Sequence, residues 1–176
     1  MALRPIVLFP DPVLLKPTQA VEEVDDEVRQ LVQDMIDTMR AAPGIGLAAN
    51  QVGVSSRVCI VDITGGEQPD ELKVLINPEV RSFEGTDLGE EGCLSFPEIT
   101  LEIERPYRAV VEALDLDGRR YTVNGEGLLA RAMLHEIEHL EGQTFLRNVS
   151  SVKREMVKRR IRKLKKSGDW VAAVAG

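Results

Sequence analysis

The chain has 176 residues, enough for one domain folding on its own hydrophobic core, and its 43% hydrophobic and 29% charged residues are the balance of a water-soluble globular protein. Two cysteines, Cys59 and Cys93, exclude a disulfide scaffold, and no apolar run approaches the roughly 18 residues of a membrane span. Net charge is −7 but unevenly placed: Lys153 to Lys166 hold nine basic residues and one acid, leaving a body of 13 basic and 28 acidic residues, net −15, with a tail of +8.

An acidic body does not coat nucleic acid; the tethered basic helix is either a means of docking on it or a solvated face of a terminal helix. At the start of the chain, Pro5, Pro10, Asp11 and Pro12 interrupt any signal-peptide core, so a cytoplasmic location without a membrane partner is expected. Asp25 can cap a helix with Asp26 and Glu27 in its first turn. Val28, Leu31, Val32, Met35, Ile36 and Met39 then keep helical spacing up to Pro43-Gly44. The pattern next turns to short β-branched runs at Val58–Ile63, Val74–Asn77, Val80–Phe83, Ile99–Ile103 and Ala109–Leu114. Asp117-Gly118 reads as a hairpin turn leading into Arg120–Val123. A second helix is expected from about Gly127 to Gly142, and the basic tail makes a third with Val152, Met156, Ile161 and Leu164 as its apolar stripe. Strands clustered between helices, rather than alternating with them, predict an α+β fold. Residues 1–150 are expected to form the catalytic domain, and 151–176 the basic C-terminal helix and tail.

The second helix carries His135-Glu136-Ile137-Glu138-His139, an H-E-x-x-H sequence. At 100° per residue His135 and His139 share one face, so two imidazoles can converge on one ion. Leu128 and Ala132 extend that strip, which predicts that it faces the protein. Glu136 flanks the site without being forced to coordinate, the place of a general base acting on water. These are the two histidines of the chain.

A catalytic site of this kind needs a third protein ligand. The longer motif H-E-x-x-H-x-x-G-x-x-H finds Gly142 in place but Phe145 where its last histidine belongs. Glu155, the nearest glutamate for a thermolysin-like metalloprotease, falls in the basic tail. Cys93, beside Gly92 in Glu90-Glu91-Gly92-Cys93-Leu94-Ser95, is the better candidate, although a buried core cysteine has the same local pattern. Cys59 sits inside an apolar strand and reads as core. Gly44-Ile45-Gly46-Leu47-Ala48-Ala49 formally matches a dinucleotide fingerprint, but it follows a helix rather than a strand. Its glycines suit main-chain pairing with an extended ligand, and Gln51 adds an amide donor.

Three ordered segments, G-I-G-L-A-A-N-Q at 44–51, E-G-C-L-S at 91–95 and H-E-I-E-H at 135–139, resemble the signature motifs of peptide deformylases. The resemblance implies an α+β fold with small antiparallel sheets packed around a central metal-binding helix, flanked by N-terminal and C-terminal helices. It implies hydrolytic removal of the N-formyl group from the initiator methionine of nascent proteins during protein biosynthesis, releasing formate. Carried over by position, Cys93, His135 and His139 would hold the metal and Glu136 would be the catalytic carboxylate. Gln51 and the backbone N–H of Leu94 would form the oxyanion hole. Ile45, Gly46 and Gly92 would pair with the substrate backbone, and Leu128 would line the methionine pocket. Glu91 and Arg105 match a supporting ion pair. Arg131 stands where better-known members carry an apolar residue, among the residues expected to touch substrate beyond methionine. The implied metal is Fe²⁺, with Zn²⁺, Ni²⁺ or Co²⁺ able to occupy the same site. The implied partners are formylmethionyl nascent peptides and, through the basic C-terminal helix, the ribosome. An H-E-x-x-H metalloprotease is the alternative enzyme, and a metal-stapled RNA-binding module the non-enzymatic one.

Overall fold

A computed structural model describes residues 2–175 of the chain. Helix α1 spans Asp26–Ala41, and the Asp25 carboxylate caps it by accepting the Val28 N–H at 2.9 Å. Its apolar stripe lies on a five-stranded antiparallel sheet with strand order β1-β2-β3-β6-β7. The strands are β1 (Gly46–Ala48), β2 (Val58–Val61), β3 (Lys73–Glu84), β6 (Arg108–Leu114) and β7 (Arg120–Glu126). A separate two-stranded sheet pairs β4 (Asp87–Cys93) with β5 (Phe96–Arg105). Helix α2, Leu128–Leu140, packs chiefly on β1, β2, β6 and β7, with Ala132, Met133, Ile137 and Leu140 against Cys59, Val61, Leu75 and Val111. Cys59 is a buried core residue, as its apolar strand pattern predicts. Gly142 ends α2 at φ 74, and a Cβ there would lie 2.5 Å from the Lys16 main chain, so glycine is required twice over.

Two predicted strands are one. Val74–Asn77 and Val80–Phe83 join as β3, whose register shifts where Asn77 takes φ 51. The Asn77 amide stabilises that kink by bonding both the N–H and the carbonyl of Val21. Asp117-Gly118 lies inside a longer loop, where the Asp115 carboxylate accepts N–H bonds from Asp117 and Arg119. Two strands escaped the propensity reading, β1 and β4. The β4 sequence, Asp-Leu-Gly-Glu-Glu-Gly-Cys, contains few β formers and is extended because β5 pairs with it.

Helix α3 spans Ser151–Ser167, capped by Ser150, and it turns a different stripe inward from the one expected. Val157 and Ile161 are buried and Leu164 half-buried, whereas Val152 is 70% and Met156 56% exposed. Arg154 decides this rotation, because its guanidinium donates to the carbonyls of Leu146 and Val149 and so belongs to the docked face. That face joins an aromatic cluster in which Phe9, Phe145 and Trp170 surround Phe96, with Phe9 stacked on Phe96 at 4.7 Å. Beyond α3, the Ile6 N–H bonds the Val174 carbonyl and the Trp170 indole N–H bonds the Phe9 carbonyl, so the two ends of the chain hold each other.

Candidate metal centre

The two imidazoles stand one helical turn apart on α2, with their Nε2 atoms 3.3 Å from each other. Cys93 comes from the other sheet. It is the last residue of β4, where the chain turns through Leu94-Ser95 into β5, and its Sγ lies 3.3 Å from His139 Nε2. All three donor atoms fall within 4.8 Å of one another. Zinc-type bonds to nitrogen and sulfur at tetrahedral angles put such atoms about 3.3–3.6 Å apart, and the His135–His139 and Cys93–His139 separations match that spacing. Among the described residues this is the cluster close enough to share one. Phe145, at the position of the absent third histidine, packs its ring edgewise on His135 at 5.6 Å. Glu155 lies on the exposed side of α3 beside Lys158 and takes no part.

His135 is oriented from behind, whereas His139 Nδ1 is buried without a hydrogen-bond partner among the described residues. His135 Nδ1 lies 2.8 Å from Glu91 Oε1, which directs Nε2 toward Cys93 and His139. Burial by itself would raise the Glu91 carboxyl, but hydrogen bonds from Arg105 and His135 overrule it and hold the group down to about 2. Arg105 donates through Nε at 2.7 Å and Nη2 at 2.9 Å to Glu91, and through Nη1 at 2.6 Å to Glu138. Glu138, the second glutamate of His-Glu-Ile-Glu-His, is thus a brace that spacing did not single out. Burial, then the charge of His135, keeps His139 well below the usual histidine range, in the neutral form that ligates a metal. Burial opposes a proton on His135 too, yet the neighbouring Cys93 and Glu91 raise it well above that range. An ion held here would require the neutral form of His135, so its binding would compete with that proton.

Glu136 is buried beside the donors, and one of its carboxylate oxygens has no protein partner among the described residues. Burial, the largest influence, pushes its carboxyl up to about 7. Gly46 faces it so closely that a Cβ there would sit 2.5 Å from Glu136 Oε1, which explains why this position has no side chain. Gln51 lies on a single 3-10 turn, Ala49–Val52, directly after β1. Its Oε1 accepts the Ala48 N–H at 2.9 Å, and this fixes Nε2 toward Ser95 Oγ at 3.1 Å and Cys93 Sγ at 3.6 Å. Ser95, wholly buried behind the turn, is a second support that went unread, although it closes the Glu-Gly-Cys-Leu-Ser segment.

A cleft of about 410 Å³ opens over these groups. Ile45, Gly46, Gly92 and Leu94 line it together with His135 and Glu136. Strand β1 is the edge of its sheet, so its outer main-chain groups can pair with an extended chain laid in the cleft. No atom would touch a Cβ added at Gly92, so its bare backbone keeps that wall open. Leu128, expected to turn inward with the histidines, is 50% exposed at the start of α2 and lines the mouth. Arg131 borders the cleft as well, but its guanidinium is buried and points into the β4–β5 hairpin.

The chain is similar to known proteins over nearly its full length. The family model for polypeptide deformylase matches residues 3–155. A peptide deformylase of Acidobacterium capsulatum is 48% identical over 170 residues, covering 97% of this chain and 100% of the relative. One from Rhizobium meliloti is 45% identical over 168 residues, covering 95% and 97%. The crystal structure of a peptide deformylase from Legionella pneumophila superposes with a TM-score of 0.88 at 41% identity, covering 95% of this chain and 98% of that one.

Proposed function

The chain belongs to the polypeptide deformylase family, and we propose that Cys93, His135 and His139 hold its catalytic ion while Glu136, Gln51 and Leu94 carry out the chemistry. The activity is metal-dependent amide hydrolysis, removing the N-formyl group from N-terminal formylmethionine and releasing formate. The observation that carries the residue assignment is the convergence of one cysteine sulfur and two imidazoles within 4.8 Å of one another, with a buried carboxyl group beside them in an open cleft.

A divalent ion held there lowers the pKa of a water and polarises the formyl oxygen. The formylated peptide lies along the β1 edge, its main chain paired with Ile45, Gly46 and Gly92, and the methionine side chain enters beside Leu128. Gln51 Nε2 and the Leu94 N–H donate to the formyl oxygen as it gains charge. One such donor contributes about 2.7–4 kcal/mol to lowering the barrier. Glu136 accepts the proton of the attacking water and hands it to the amine nitrogen as the C–N bond breaks, so the amine departs neutral. A carboxyl held near neutrality suits both halves of that transfer.

One thiolate with two imidazoles suits Fe²⁺ or Zn²⁺, and we read the resident ion as Fe²⁺, with Zn²⁺, Ni²⁺ or Co²⁺ as substitutes. Activity of the iron-loaded enzyme then decays in air while the fold persists; full activity after prolonged aeration means either that the ion is not iron or that its ligand is not Cys93. The principal test is formate release from a formyl-Met peptide under anaerobic Fe²⁺ loading. Glu136→Gln keeps its metal and loses about 10²–10⁴-fold in kcat; retention of more than a tenth of kcat with unchanged metal content rejects the assignment. No helix among the described residues is long and apolar enough to cross a membrane, and the enzyme is proposed to work in the cytoplasm on nascent chains. The exposed Arg159, Arg160, Arg162 and Lys163 of α3 suit contact with ribosomal RNA phosphates, and the acidic body would orient that face outward.

A further inference from the structure

The hairpin that supplies Cys93 is not hydrogen-bonded to the main sheet: β4 pairs only with β5, while His135 and His139 stand on α2, which packs against the other sheet. The donor set is therefore assembled across two bodies, and something must hold their separation to a few tenths of an ångström. Arg131 lies one turn before His135 on the same strip of α2, and its guanidinium crosses the gap. Nη1 donates to Glu91 Oε2 at 2.8 Å and to the Ile103 carbonyl at 2.8 Å. Nη2 donates to the Asp87 carbonyl at 2.8 Å and to its carboxylate at 3.2 Å. One side chain of the helix thus grips both strands of the hairpin and the carboxylate that orients His135.

These contacts use the four terminal N–H bonds of the guanidinium, leaving them none for a substrate. The group is also buried, with the whole residue only 5% exposed. Arg105 reaches Glu91 too, but it rises from the end of β5 and its second hold on α2 is Glu138, on the far side of His135 from Arg131. The two arginines pin the hairpin to the helix at points before and after the first histidine. Gly89 completes the arrangement: a Cβ there would lie 3.1 Å from Arg131 Cζ and Nη2, so the strand passes as close to the guanidinium as a bare backbone allows.

We propose that Arg131 is a positioning residue of the metal site rather than a substrate contact: it locks the Cys93 hairpin onto the histidine helix and sets the Glu91 carboxylate against His135. This rests on the reading that Cys93, His135 and His139 hold the ion. Groups that orient metal ligands typically change metal affinity or activity by 10–100-fold when replaced.

The test uses full-length protein loaded with Co²⁺, whose d–d and thiolate charge-transfer bands report ligand geometry, and follows release of the ion to a chelator. Arg131→Met keeps the stem and removes the donors; release should quicken 10–100-fold and the d–d bands should shift. Arg131→Lys, with one compact ammonium in place of a planar fork, should recover only part of this. Gly89→Ala leaves Arg131 in the sequence and pushes on its guanidinium, so it should give the same signature in milder form, and it keeps the proposal testable if Arg131→Met does not fold. Formyl-Met peptides that differ after methionine should show a common fall in kcat, with KM little altered. Release within twofold of the parent and unshifted bands in the folded variants would overturn the proposal, and KM changes that depend on the peptide would return Arg131 to the substrate. Failure of the parent protein itself to bind Co²⁺ at Cys93 would reject the underlying site assignment instead.

Discussion

Helix α2 buries nine of its thirteen residues, helix α3 two of its seventeen. Both are amphipathic and each begins where a chain reversal ends, yet they do opposite things. The surroundings of α2 hold three of its ionisable members, Arg131 by the β4–β5 hairpin, His135 by Glu91 and Glu138 by Arg105, and leave a buried Glu136 oxygen without a protein partner among the described residues. Its buried polar groups can therefore be held in fixed orientation at low dielectric, the condition under which they act chemically. Helix α3 presents its charges to solvent, where they are screened, a setting that suits the proposed contact with a partner and not the transformation of a substrate. Burial, more than sequence periodicity, separates the two helices.

The sharpest break of this contrast is at the partner that α2 requires. Cys93→Ala should abolish metal binding at the site and bring formate release down to the uncatalysed background, measured as metal content and turnover together; a variant that retains its metal would mean that another residue completes the set. Gln51→Ala comes next. It should lower kcat by about 10²–10³-fold while metal content stays at the parent level, and a change confined to KM would move Gln51 from the reacting oxygen to ground-state binding.

On α3 the same contrast becomes a matter of stability. Ile161→Ala should destabilise the protein by about 2–5 kcal/mol, because the buried side chain packs with Phe96 and Phe145 and leaves a cavity. Met156→Ala, one turn earlier on the exposed side, should stay within about 0.5 kcal/mol. Denaturant titration of the two variants decides which face is docked. Equal losses would restore the stripe expected from the sequence.

The smallest effect is expected from Arg159→Gln, Arg160→Gln and Lys163→Gln combined. Melting and turnover of a short formyl peptide should be unchanged, while co-sedimentation with ribosomes at low salt should weaken and lose part of its salt dependence. Undiminished co-sedimentation would leave α3 as a solvated surface with a structural role. Removing α3 outright does not separate these roles, since Val157, Ile161 and Trp170 belong to the cluster around Phe96, whose turn carries Cys93.

The linear chain made α1, α2 and their ends legible, because a cap, a 3.6-residue stripe and a terminating glycine are local signals. It also marked His135, Glu136 and His139, since the helix alone brings positions four apart onto one face. Strand β4 could not be read, as its extension depends on a partner strand rather than on its own residues. The neighbourhood of Cys93 and the two histidines could not be read for the same reason: Cys93 is 42 residues before His135, and no local rule joins a turn in one sheet to a helix on another. Arg131 shows the limit most clearly. In the sequence it is a charge on an amphipathic helix, expected among the residues that touch substrate. Its role is decided by where Asp87, Glu91 and Ile103 place their oxygens. Local spacing determines which side chains share a face; only packing determines what that face meets, because burial makes each polar group depend on partners that come from elsewhere in the chain.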